Sequence, residues 1–363
     1  MKKAFLISFI ITMILIVVVG GCATPAQAPS TPPSPAPAPS PTAPKIFEFK
    51  YADNNPLQSN HVQKGRVPWF NEIEKKSNGR IKFTIYAGES LGKGSEHWNM
   101  LTGGVCDIAN MYPSSYGQKA PLAGFLGLPF GITIRTKTKD GKYLIDVIGE
   151  KYLSQQQFKD FKVLYYNQYG TTNFMWGKNP VKNLEDAKGK IVAFTGGSSY
   201  PQLLKALGMS PESINTPDMY TALERATIDG ILVGTSVIES YKLAPVIKHI
   251  TLNVDFNTSL VFTAMSLKAW NSLSPDLQKI MEETFSMGKE LVYDVNQAQN
   301  DIGLKLATDA GAQVYSLPDT ERNRWIDATS GVADTWAKDM DARKLPGTDM
   351  VKDIRQLLAD VRK

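Results

Sequence analysis

Few residues in this chain have a type and spacing suited to covalent chemistry. There are two thiols, Cys22 and Cys106. Cys22 follows Val19-Gly20-Gly21 at the end of an apolar run. A lone cysteine preceded by small residues at that point suits thioether attachment of a diacylglyceryl group, with cleavage on its amino side. The small residues let a signal peptidase hold the chain extended. Cys106 opens the apolar stretch 106–111 (CDIANM), where a buried, inert thiol is expected. The three histidines, His61, His97 and His249, lack metal-ligand spacing. Ser114-Ser115 and Ser198-Ser199 have no G-x-S-x-G context. Gly196-Gly197 lies between a strand and a helix, where backbone N–H groups can meet an anion, but it does not form G-x-G-x-x-G. No metal site, cofactor motif or catalytic constellation emerges, so these residues give an enzyme no support.

The elements around them place the protein outside the cytoplasm. Lys2 and Lys3 precede residues 4–19, which are apolar apart from Ser8 and Thr12. Residues 1–21 therefore read as a lipoprotein signal peptide with Cys22 as the attachment point; an uncleaved anchor is the alternative, since the run approaches the ~20 residues that span a bilayer. Residues 22–45 are rich in Pro, Ala and Ser and favour an extended polyproline spacer, a semi-rigid tether. The whole chain of 363 residues is 42% hydrophobic and 21% charged, as expected of a globular protein with a real core. A net charge of +5, with no basic stripe, is no nucleic-acid footprint.

From residue 46 onward, strand and helix patterns alternate. Residues 46–52 (IFEFKYA), 80–86, 106–111, 162–169, 172–178, 190–194 and 230–233 read as strands. Helical patterns fall at 62–77, 96–103, 201–207 and 219–226. The pattern restarts midway, which predicts an α/β protein of two lobes with mostly parallel sheets and a cleft between them. Ser274-Pro275 begins a helix with no further proline before Gly311. Some 36 residues at 1.5 Å each span ~54 Å, enough to run along both lobes.

The motifs along this frame have one order. Residues 79–91 (GRIKFTIYAGESL) continue to Gly103-Gly104-Val105-Cys106-Asp107-Ile108 and Leu128-Pro129-Phe130. Asn179-Pro180-Val181, then 184–190 (LEDAKGK), 204–209 (LKALGM), 219–223 (MYTAL) and Ile228-Asp229-Gly230 follow. Over about residues 46–345 this run resembles the DctP-type solute-binding proteins of TRAP transporters. The resemblance implies a two-lobe periplasmic-binding-protein fold with a hinge cleft, a chain that crosses between lobes twice, and a long helix spanning both. It further implies a small-molecule ligand in the cleft and TRAP membrane subunits as partners. Residues 46–170 and 258–298 would form lobe I, and 171–257 and 299–363 lobe II.

The expected site departs from the family pattern. Where acid-binding members carry an arginine in the strand after "lkG.k", this chain has Ala193; where a second arginine is frequent, it has Thr172. Ile231-Leu232-Val233-Gly234 replaces a polar "qEnP" stretch, and the loop 112–116 (YPSSY) holds no cation. Candidate ligand-binding residues are Asp53, Tyr112, Ser115, Tyr116, Thr172, Phe174, Ala193, Phe194, Gly196 and Val233. Burying a carboxylate without a cation is costly. Such a cleft suits a neutral or aromatic ligand, or an amine paired with Asp53. Lys93 or Lys178 standing in for the arginine is the competing expectation. A sensor module on the same fold, an anchored enzyme and an ABC-transporter receptor are the competing functions; the long helix and double crossover speak against the last.

Overall fold

The computed structural model describes residues 45–130, 136–168, 172–195, 199–256 and 260–361. Cys22 and Gly196 lie outside them. Two sheets organise the molecule. The first contains β1 (Phe47–Ala52), β2 (Ile81–Tyr86), β3 (Ile108–Met111), β4 (Phe161–Gln168) and β10 (Leu260–Ser266), in the order β2-β1-β3-β10-β4. The second contains β5 (Thr172–Trp176), β6 (Ile191–Phe194), β7 (Ser210–Ser213), β8 (Gly230–Val233), β9 (His249–Phe256) and β11 (Gln313–Ser316), in the order β11-β9-β5-β8-β6-β7. The chain leaves the first sheet after β4, builds most of the second, and returns after β9 to insert β10.

Those crossings explain why each sheet, mostly parallel as expected, carries one reversed strand. β10 runs antiparallel to both β3 and β4, and β5 runs antiparallel to both β8 and β9. Each is the strand by which the chain enters a lobe from the other one, so it arrives reversed. β9 and β10 went unread in the sequence pattern. Every residue of β10 (LVFTAMS) is buried, and a strand covered on both faces shows no alternation.

Five helices matter to the site. They are α1 (Val67–Lys76), α2 (Pro275–Glu283), α3 (Phe285–Asp309), α4 (Asp319–Ala342) and α5 (Gly347–Val361). The expected single helix from 275 to 310 is two. Thr284 breaks it at φ −100°, ψ −5°. Its hydroxyl donates to the Met281 carbonyl at 2.8 Å and accepts from Trp69 Nε1 at 3.0 Å. A threonine that satisfies a nearby carbonyl in this way competes with the helix ladder.

Of the two, α3 spans the lobes, its 25 residues reaching ~37 Å. At the first lobe Gly288 lies flat against Trp69 and Tyr165; a Cβ there would come within 2.8 Å of the Tyr165 ring. At the second, a Cβ on Gly303 would fall 1.9 Å from the Thr235 carbonyl oxygen. Thr235 Oγ1 donates to the Asn300 carbonyl at 2.9 Å, and Asn300 Oδ1 accepts from Ser236 N at 3.1 Å.

α4 also bridges. Trp325 packs with Phe174 and Trp176 in a second-lobe core, while Val332, Ala333, Ala337 and Met340 pack in a first-lobe core with Leu126, Ile145 and Phe262. Met350, Val351 and Ile354 of α5 join that first-lobe core. The division that put all of 299–363 in lobe II therefore fails from about residue 332 onward. The apolar face of α5 packs against α4 and the short helix Leu144–Ile148. Among the described residues no helix is long and apolar enough to cross a membrane.

Candidate functional site

The site begins with one face of the first sheet. Tyr51, Ile108 and Met265 form an apolar row on that face beneath Trp69, Phe70 and Ile73 of α1. Two residues further along each strand the chemistry changes. Asp53 follows β1 beside Asn110, Asn110 pairs with Thr263, and Thr263 pairs with Tyr165. Side chains two apart share a face, so these four form one polar row across four strands. All four are buried. The row lies toward the carboxyl ends of β1 and β3, the edge where open α/β sheets receive ligands.

Arg66 covers the row. It ends the helical turn His61–Arg66 and is 2% exposed. Its Nε lies 3.5 Å from Asp53 Oδ2, and its Nη1 donates to the Tyr165 hydroxyl at 2.8 Å. Asp53 itself is 0% exposed. Its Oδ2 accepts from the Tyr51 hydroxyl at 2.7 Å; its Oδ1 accepts from Asn55 N at 2.9 Å and Asn55 Nδ2 at 2.8 Å. Burial raises the Tyr51 hydroxyl well above its usual pKa, so it stays protonated and donates. Asp53 is thus committed to an internal partner, which corrects its reading as an amine receptor. Sequence reasoning had missed Arg66, Asn55 and Asn110 as members of this cluster.

Tyr112 closes the cluster from the loop after β3. Its hydroxyl accepts from Asn110 Nδ2 at 2.6 Å and donates to Asn54 Oδ1 at 2.6 Å. Tyr116 props the loop: its hydroxyl accepts from Tyr112 N at 3.2 Å and its ring stands edge-on to Trp98. Ser115 between them is exposed. Asp53 and Tyr112 are therefore joined through Asn54, Asn55 and Asn110.

The cluster is joined to the crossing between lobes. His61 Nε2 donates to Asn296 Oδ1 on α3 at 2.8 Å, and Asn296 Nδ2 donates to the Gln168 carbonyl at 3.1 Å. Gln168 is the last residue of β4. Burial lowers the His61 pKa, which keeps the ring neutral at physiological pH.

The second-lobe candidates sit differently. Phe174 is fully buried, its ring stacked on Trp176 at 5.2 Å between centroids. Ala193 and Val233 are packed among Met175, Met219 and Ile231. These three belong to the lobe's cores rather than a cleft wall, because helices cover both faces of the strands. Phe194 meets Tyr200 edge-on at 5.9 Å, and the Tyr200 hydroxyl is bonded to Thr172, so these two remain near the strand ends. Lys93 and Lys178 are both exposed, whereas Arg66 is buried. Burial pushes the Cys106 thiol up to about 12, consistent with an inert side chain. Among the described residues no three metal-ligating side chains converge.

Comparison with known proteins fits this architecture. Residues 53–339 match the family described as bacterial extracellular solute-binding protein, family 7 (DctP). The 2,3-diketo-L-gulonate-binding periplasmic protein YiaO of Escherichia coli is 24% identical over 324 residues, covering 87% of this chain and 93% of its own. A TRAP solute-binding protein of Rhodoferax ferrireducens, solved with copurified benzoate, superposes with a TM-score of 0.70 at 23% identity, over 87% of this chain and 99% of that one. A TRAP periplasmic solute-binding protein of Ochrobactrum anthropi gives 0.76 at 22% identity, over 88% and 96%. The match runs through both sheets and both bridging helices; the chain belongs to the bacterial extracellular solute-binding proteins of family 7, receptors rather than enzymes, which bind small ligands and work with the membrane subunits of TRAP transporters.

Proposed function

We propose that this receptor captures a neutral small molecule with an aromatic or other apolar body, and that a lipid on Cys22 tethers it to the membrane through the spacer 22–45. One observation carries the ligand reading. The buried cation of the polar row, Arg66, stands against the buried carboxylate of Asp53, and residues 172 and 193, where acid-binding relatives are expected to carry arginine, are Thr and Ala. Asp53 cannot serve an amine while it is hydrogen-bonded to Tyr51 and Asn55 and its charge is opposed by Arg66. A carboxylate would lose its water, at a cost of several kcal/mol, against a site of no net charge. Tyr112, Phe194 and Tyr200 supply aromatic surface with hydroxyls to orient a polar substituent.

The Rhodoferax ferrireducens relative holds benzoate, so acids and their neutral counterparts make the sharpest comparison. A ligand that binds only the folded state raises its melting temperature by mass action. The full chain in mild detergent should be stabilised by benzamide or benzyl alcohol and not by benzoate. Stabilisation by benzoate alone would leave the receptor and overturn the neutral ligand.

A further inference from the structure

The contact between Asp53 and Arg66 is unequal. Asp53 accepts three hydrogen bonds, two on Oδ1 from Asn55 and one on Oδ2 from Tyr51, besides facing Arg66. Arg66 has donors to spare. Nη1 reaches Tyr165, but Nε is buried without a hydrogen bond, and Nη2 makes none to any described residue. A guanidinium carries five N–H groups, and leaving them unmade in a buried place is costly. Asp53 therefore opposes the charge of Arg66 while using almost none of its hydrogen-bonding capacity. This occurs where β1 and β3 end, beside Tyr112.

We propose that Asp53 is the residue that sets the charge of the ligand: it cancels the positive charge of Arg66 and leaves its N–H groups to a neutral acceptor, such as a carboxamide or ketone oxygen. The proposal rests on the neutral-ligand reading above. A carboxylate at the same N–H groups would meet Arg66 and, just behind it, the like charge of Asp53. With that charge removed, the guanidinium becomes an ordinary carboxylate fork. One aspartate then decides between acids and their neutral analogues.

The test is a gain of function. Calorimetric titration of the full chain in mild detergent with benzoate, 3-hydroxybenzoate and benzamide compares wild type, Asp53→Asn, and Asp53→Asn combined with Arg66→Gln. Asp53→Asn should bind at least one of the two acids about tenfold or more tighter than wild type does. The double variant should lose that gain. Unchanged acid affinity in Asp53→Asn, or a gain that survives removal of Arg66, overturns the proposal. The wild-type preference between benzoate and benzamide reads the neutral-ligand proposal separately. The variant ratio for the acids does not depend on it. If circular dichroism shows Asp53→Asn unfolded, Asp53→Ser removes the same charge with a smaller side chain and takes its place.

Discussion

Two cysteines of one chain should behave in opposite ways. Cys106 is fully buried, and its thiol is pushed up to about 12 by that burial. A thiol reagent at pH 8 should leave it unmodified in the folded protein and modify it once urea has unfolded the chain. Cys22 follows small residues at the end of the apolar leader, and Cys22→Ser should move the protein from the membrane fraction to the soluble fraction of expressing cells. Retention of the Cys22→Ser protein on membranes would remove the lipid anchor and favour an uncleaved leader. At this scale the sequence was partly legible. Val62, Arg66, Trp69, Phe70 and Ile73 fall on one helical stripe, so a charge at position 66 was visibly aimed inward. What no local pattern reveals is its partner. Asp53 meets Arg66 only because β1 and the following helical turn fold back on each other, and its neighbours Asn54-Asn55-Pro56 look like an ordinary turn.

Among the elements, glycines in helices separate close packing from mere tolerance. Gly303 on α3 has no room for a side chain, whereas Gly331 on α4 has nothing within 4 Å of its would-be Cβ. Gly303→Ala should destabilise the protein by about 1–3 kcal/mol through overpacking. Gly331→Ala should stabilise it by up to ~1 kcal/mol, since alanine is the better helix former where nothing is touched. Urea midpoints would read both, and equal effects of the two would show that α3 is not seated against the second lobe at residue 303. The strands 46–52, 80–86, 190–194 and 230–233 were legible because each carries strand-like composition between turn signals. The break at Thr284 was not, because it depends on the indole of Trp69, distant in sequence, which hydrogen-bonds the threonine hydroxyl. The return of residues 332–354 to the first lobe was equally hidden: an amphipathic helix advertises an apolar face without naming what covers it.

For the whole molecule, the consequence of interest is how the lobes are held in register. Two helices cross between them, and α3 is fixed to the first lobe through His61, Asn296 and Gln168. His61 is the titratable member of that chain. Its folded pKa is lowered from 6.5, first by burial and further by Arg66, while the hydrogen bond to Asn296 opposes the shift. The folded protein thus favours neutral histidine more strongly than the unfolded chain does. This contribution to stability is fully present above the unfolded value near 6.5 and is lost as the pH falls through it. Protonation would place a cation in the interior near Arg66, with Asn296 Oδ1 as its partner on α3. Wild type should therefore lose stability between pH 7.5 and 5.5. His61→Gln, which keeps an N–H donor for Asn296 and cannot titrate, should lose less over the same interval. Urea midpoints at the two pH values measure the difference. An identical pH dependence in wild type and His61→Gln would mean that acid reaches this receptor elsewhere, and that the anchor of its spanning helix is indifferent to the charge of His61.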